Sequence, residues 1–459
     1  MSGPNVLVAS IGRGNVASML AALRRAGADA RASSDPDAFG SAPYAVLPGV
    51  GSFGAVAERL RTSGLGRAFA ARVNAGLPTL AVCLGMQLMA RSSRESPGAR
   101  GLGILPAECT RFGDGLSVPQ FGWNRVRGGG PGVAGLNWAY FANSYKLDAC
   151  PPGWTAAWSD YGGPFVASLE RGRVLFCQFH PELSGQAGLR LLRRWLGLDA
   201  PELSSAPELA PRIIPCLDVA AGRVVKGTRF MDLRDQGDPA GLGAAYERQG
   251  ADELVVLDIQ AGTAGTPPDT DTVARVRSAI GLPLCVGGGV RSLADAERVL
   301  AAGADKIAIN SRAYRDPGLV EALAREFGSQ ACVVAIDAAR GPDGRARVAL
   351  DAGTTLTDEA PETWTRRAVA LGAGEILLTS RDQDGTRGGY DLDLLAACVR
   401  AAGPVPVIAS GGASLPDHVL DGIRAGAGAA LLAGALHDGS LTVGDIKRAL
   451  AARCVEVRI

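Results

Sequence analysis

The chain has almost no net charge, no closely spaced cysteine pair, only three histidines and no long apolar run. Its 47 Lys+Arg stand against 46 Asp+Glu, so neither a basic stripe nor a basic tail offers a footprint for nucleic acid or an anionic membrane, and a small-molecule function is favoured. Nine cysteines are scattered without a C-x-x-C pair or a Cys/His cluster. That spacing points away from a disulfide framework and a zinc centre and towards a reducing compartment; no metal or organic cofactor is indicated. The N-terminal MSGPNVLVASIGRGN has no basic segment followed by a long apolar one, and no other stretch reaches bilayer length. A soluble, cytoplasmic protein is expected.

A chain of 459 residues is too long for one core, and two domains are the simplest count. In the first part, short runs such as Val6–Ala9, Ala45–Leu47 and Leu80–Val82 alternate with helical stretches, the pattern of an α/β domain with a parallel sheet. The Pro-containing segment around 199–211 reads as a semi-extended linker between a domain at 1–198 and another at 212–459. Beyond the linker, strand-like runs recur at 212–218, 253–258, 284–286, 306–310, 332–337, 375–380, 407–410 and 429–433, with helices between them, predicting a (β/α)8 barrel. The barrel repeats itself at roughly 120 residues, as in Val286–Val290 against Ala409–Ala413 and Gly303–Asp305 against Gly426–Gly428, so two half-barrels are expected.

Barrels place chemistry at the C-terminal ends of their strands, and those ends carry Asp218, Asp258, Asn310, Ser311, Asp337, Asp382 and Asp384. Asp218 and Asp337 occupy repeat-related positions across one mouth, with Asp384 following strand six, an arrangement suited to proton transfers on a substrate held between them. Asp258 and Asp382 are equally compatible with loop roles. Glycine runs after strands three and seven predict two phosphate cradles, and hence a bisphosphate substrate. At the opposite ends Arg212, Glu253, Lys306 and Glu375 each begin a strand; alone, they read as a stabilising ring of surface charge.

In the first domain, Thr79–Gln87 is an apolar strand running into Cys83 and then a helical stretch. Such an elbow presents a nucleophile at a helix N-terminus and offers the Leu84 N–H to an oxyanion. His180, the domain's single histidine, lies two residues before Glu182, so a base and its orienting acid come together. Cys109, Cys150 and Cys177 lack such a setting and read as structural.

CLGMQ at Cys83, PGVGSFG at Pro48 and FHPE at Phe179 resemble the triad-type glutamine amidotransferases. RIIPCLDV at Arg212, GRVVKG at Gly222, GADKIAIN at Gly303, AIDA at Ala335, DGT at Asp384 and IASGGA at Ile408 resemble the cyclase of the imidazole glycerol phosphate synthases, whose fused members run glutaminase first. The resemblance implies hydrolysis of glutamine and reaction of the ammonia with a bisphosphorylated aminoimidazole carboxamide ribonucleotide (PRFAR), giving imidazole glycerol phosphate for histidine biosynthesis and AICAR. It implies Cys83 as nucleophile, His180 as base and Glu182 as orienter. Val50, Gly51 and Leu84 would serve the oxyanion, and Gln87, Glu95, Ser144 and Tyr145 the bound glutamine. In the barrel it implies Asp218 and Asp384 as the acid/base pair, assisted by Lys226 and Asp337. One phosphate would lie at Gly289, Asn310 and Ser311, the other at Gly385, Gly412, Ala433 and Gly434. Arg212, Glu253, Lys306 and Glu375 would gate an internal ammonia passage, in a monomer without further partners. Leu183, Gln120 and Asn143 depart from the residues common in that family. Two other readings stay open: a related sugar-phosphate isomerase barrel, which needs no ammonia, and a first domain that senses glutamine without turning it over.

Overall fold

A computed structural model describes residues 3–11, 16–49, 51–113, 115–116, 118–199, 211–228, 231–264, 266–455 and 457–458, excepting the side chains of 186, 226–228, 231–235 and 262–264. Val50 and nearly all of the expected linker lie outside the described residues, as does the Lys226 side chain. The chain divides into two compact units, each taken by itself below. Among the described residues no helix is long and apolar enough to cross a membrane.

The first unit is built on an eight-stranded sheet in the order Asp29–Ser33, Asn5–Ala9, Tyr44–Leu47, Thr79–Val82, Val174–Cys177, Pro164–Arg171, Thr155–Asp160, Arg127–Gly128. Its central strands are apolar on both faces because both faces are covered. Val46, Leu80 and Val82 enter one core cluster, while the alternate residues Ala45, Leu47 and Ala81 enter the other. The expectation of a parallel sheet holds for the first five strands of that order. The remaining three are antiparallel, so the sheet is mixed. Pro164–Arg171 is joined to Thr155–Asp160 and to Val174–Cys177 by short reversals, such as the one at Gly172, which do not leave room for the crossover that parallel pairing requires.

The second unit contains the eight expected barrel strands: Arg212–Ala220, Leu254–Asp258, Leu284–Gly287, Lys306–Ile309, Cys332–Arg340, Glu375–Ser380, Val407–Ser410 and Ala429–Leu432. Each pairs in parallel with the next. Register of Arg212–Pro215 against Ala429–Leu432 closes the barrel. Its lumen is filled by Ile214, Cys216, Val255, Cys285, Ala308, Val333, Leu377, Ile408, Ala429 and Leu431, small and branched side chains that interdigitate in layers. The half-barrel repeat has a further expression that the strand pattern did not predict. Strand one continues into an antiparallel hairpin, Arg223–Thr228 with Met231–Gly237, and strand five into another, Ala346–Leu350 with Thr355–Leu356.

Candidate active sites

The site expected around Cys83 forms where two adjacent parallel strands end. Val82 is in register with Cys177, and the Cys83 N–H continues the ladder to the Cys177 carbonyl at 2.6 Å. The next residues on the two strands, Cys83 and Gln178, therefore lie side by side. Cys83 turns sharply, with φ 51° and ψ −110°, a conformation that costs a non-glycine residue energy and persists where the surroundings impose it. The helix that follows, Leu84–Gln87, is a single turn. Cys83 thus gains less from a helix dipole than the elbow pattern suggested, and what remains is the first-turn amides, Leu84 among them. Glycines bring the neighbouring loop close: a Cβ on Gly49 would meet the Gly85 nitrogen at 2.1 Å, and one on Gly85 the Leu47 carbonyl at 2.3 Å.

His180 and Glu182 are buried together, with Nδ1 and Oε1 2.8 Å apart. Burial disfavours the imidazolium, but the charges of Cys83 and Glu182 and hydrogen bonds with both outweigh it, holding His180 well above the ordinary histidine range. The three residues are one hydrogen-bonded set. Burial pushes the Cys109 thiol up to about 12 and the Cys177 thiol well above its usual value, so neither offers a thiolate.

The expected glutamine contacts gather beside the set. Glu95 accepts from the Phe53 N–H at 2.8 Å, which ties the glycine loop containing Gly51 to it. Burial raises this carboxyl despite that hydrogen bond, and its charge reaches the Tyr145 hydroxyl, which burial also raises. The Tyr145 carbonyl accepts from Gln87 Nε2 at 2.8 Å and Asn143 Nδ2 at 3.0 Å. Ser144 accepts from the Phe112 N–H through its carbonyl. Gln120 faces Asn143 in register, and its amide is buried without a protein hydrogen bond, as is Asn143 Oδ1. Gln178, which no motif singled out, donates to the Cys83 sulfur at 3.6 Å.

At the barrel mouth Asp384 lies close enough to Asp218 and Asp337 to raise the proton affinity of both. Burial, followed by the charge of Asp384, raises Asp218 to about 7. Burial raises Asp337 to about 6, and Arg381 and a hydrogen bond from the Asn310 side chain only partly offset it. Arg381, just beyond strand six, is thus a neighbour of the acids that the sequence did not mark. Asp258 caps the following turn through the N–H groups of Gln260 and Ala261, and Asp382 accepts from the Arg340 N–H, so both serve their loops. Gly289 and Gly412 occupy equivalent left-handed turns with φ +74° and +94°. Asn310 and Ala433 precede one-turn helices, Ser311–Arg315 and Gly434–His437, which places a helix N-terminus at the equivalent point of both halves. Gly385, φ +76°, lies in the loop after strand six. The Ser311 hydroxyl accepts from the Asp351 N–H at 2.8 Å and so also anchors the strand-five hairpin.

The four charges at the strand starts are not on the surface. Arg212, Glu253, Lys306 and Glu375 are each no more than 2 % exposed. They form an alternating ring in which Arg212 meets Glu253 at 2.6 Å and also binds Glu375, and Lys306 meets Glu253 and Glu375 at 2.9 Å each. Surface screening does not apply there.

Fold and site together define an amidotransferase-type α/β domain that brings a cysteine beside a buried His–Glu pair, followed in the chain by a (β/α)8 barrel with acidic groups at its mouth. Residues 28–196 match the family described as glutamine amidotransferase class-I, and residues 212–442 match that described as histidine biosynthesis protein. The chain belongs to the histidine biosynthesis protein family, with a class-I glutamine amidotransferase domain fused ahead of the barrel. Its barrel is 51% identical over 248 residues to the imidazole glycerol phosphate synthase subunit HisF of Metallosphaera sedula, covering 54% of this chain and 98% of that protein. It is 48% identical over 263 residues to the same subunit of Mycobacterium tuberculosis, covering 56% of this chain and 98% of that one.

Proposed function

We propose that the chain is a fused imidazole glycerol phosphate synthase that releases ammonia from glutamine at Cys83 and consumes it at the mouth of its own barrel. The observation that carries this reading is the hydrogen-bonded Cys83, His180 and Glu182 set in one chain with an acid-lined barrel of the synthase type. The Cys83 sulfur attacks the glutamine carboxamide carbon. His180 gives its proton to the departing ammonia, then takes one from the water that hydrolyses the glutamyl thioester. Leu84 and the loop at Val50 and Gly51 receive the oxyanion. Glu95, Gln87, Ser144 and Tyr145 orient the substrate. Ammonia set free in water becomes protonated and loses its nucleophilicity, so delivery through the barrel lumen is favoured, with opening of the Arg212, Glu253, Lys306 and Glu375 ring as its gate.

Ammonia adds to PRFAR, whose two phosphates lie at the glycine turns and first-turn amides of the two half-barrels. Asp218, with a proton affinity matched to neutral pH, and Asp384 exchange protons during cleavage and ring closure, with Asp337 and Lys226 assisting. The test is purified chain supplied with glutamine and PRFAR, following glutamate and AICAR. Cys83→Ala is expected to abolish glutamine-dependent AICAR formation and leave ammonium-dependent formation intact; loss of both refutes this division of labour.

A further inference from the structure

We propose that Gln178 is a catalytic residue of the amidotransferase site, locked by Gln87 into the one orientation that directs an amide N–H at the Cys83 sulfur. This rests on Cys83 being the nucleophile. The orientation follows from donors and acceptors alone. A main-chain carbonyl can only accept, so the Gln87 atom facing the Tyr145 oxygen at 2.8 Å is its nitrogen. The same nitrogen lies 3.0 Å from Gln178, which must present its oxygen there, and this turns the Gln178 nitrogen to the sulfur at 3.6 Å. Asn143 donates to the same Tyr145 carbonyl at 3.0 Å. Gln178 is 0 % and Gln87 4 % exposed, so reversing either amide would face like atoms in a site where water cannot compensate.

Among the described residues the sulfur therefore has two donors, His180 and Gln178, and one weak acceptor, the Ala142 carbonyl at 3.9 Å. The donors differ in kind. His180 surrenders its proton to the leaving ammonia and is then neutral, when it must deprotonate the attacking water. As the new C–O bond forms and the C–S bond breaks, the electron pair returns to sulfur, and an amide N–H that cannot be transferred remains to receive it. Gln178 thus stabilises the thiolate both as nucleophile and as leaving group, while Gln87 and Asn143 are positioning residues.

The test uses the full chain and Gln178→Met, Gln87→Met and the double variant, each checked for the parent's melting temperature. Cys83 alkylation by iodoacetamide at pH 7 is followed by peptide mass spectrometry, and glutamate release in parallel. Gln178→Met is expected to slow alkylation about tenfold, the worth of one hydrogen bond to a charged group. It should lower kcat for glutamate release comparably, with KM within about twofold. Gln87→Met is expected to slow alkylation less, and the double variant no more than Gln178→Met alone, because both act through one N–H. Unchanged alkylation in Gln178→Met, or effects of the two substitutions that multiply, would overturn the proposal; since Gln87→Met leaves residue 178 intact, it decides the matter if Gln178→Met fails to fold. A parent chain that is alkylated but releases no glutamate refutes the amidotransferase reading instead, and the alkylation comparison still decides the role of Gln178.

Discussion

The two ends of the barrel bury charge in opposite ways. At the strand starts, two cations and two carboxylates alternate in a closed ring; desolvation works against Glu375, but Arg212 and Lys306 overcome it and hold its proton affinity below the usual value. At the mouth, Asp384 acts on both Asp218 and Asp337; Arg381 only partly offsets the burial of Asp337, and burial lifts Asp218 and Asp337 towards neutrality. A balanced cluster keeps its protonation over a wide pH range and can serve as a barrier. An unbalanced one is less stable and therefore able to move protons near pH 7.

Asp218→Asn breaks the contrast most severely. Cyclisation from glutamine or ammonium should fall by roughly 100-fold to 10,000-fold, measured as AICAR release, while glutamate release persists. Lys306→Met unbalances the base and leaves two buried glutamates to one arginine; a loss of about 3–5 kcal/mol is expected in urea unfolding. The pH dependence of stability sharpens the comparison. Unfolded Asp218 releases its proton near 3.8 and folded Asp218 near about 7, so between these values the native state holds the extra proton and stability falls as pH rises. Asp218→Asn removes that loss. Its melting temperature should match the parent's at pH 4 and exceed it at pH 8, by the equivalent of roughly 1–3 kcal/mol; equal melting at both pH values would refute the uncompensated burial. The smallest effect concerns a second buried carboxylate at the base, Asp252, which accepts from the Ile213 N–H and from two cations, Lys447 and Arg458. Arg458→Ala leaves two of these partners, and a cost of about 1–2 kcal/mol is expected in the same unfolding assay.

Much of this was legible along the chain because it is local. The eight barrel strands announced themselves as apolar runs with polar residues at both ends, and most of their bounds coincide with expectation, the others differing by one to three residues. The two hairpins escaped notice because segments such as Arg223–Thr228 and Ala346–Leu350 mix charge with apolar residues, so neither reads as a continuous buried run. In the first unit, the antiparallel strands after Asn124 were hidden for a different reason, since direction depends on the connection and not on side-chain pattern. Cys83, His180 and Glu182, proposed as nucleophile, base and orienter, could be picked out by motif. Gln178 could not, because an amide's contribution depends on which way round its neighbours hold it, and Arg381 gained meaning only when its loop placed it near Asp337.

The sequence by itself determined the order of domains, the apolar alternation of the strands, the elbow that strains Cys83 and the acidic residues at the strand ends, all consequences of neighbours within a few positions. Tertiary structure alone decided which charges neutralise one another. Whether a carboxylate is balanced, as at Glu375, or left to bind a proton, as at Asp218, depends on the distance to residues far away in the chain and on how much water remains between them.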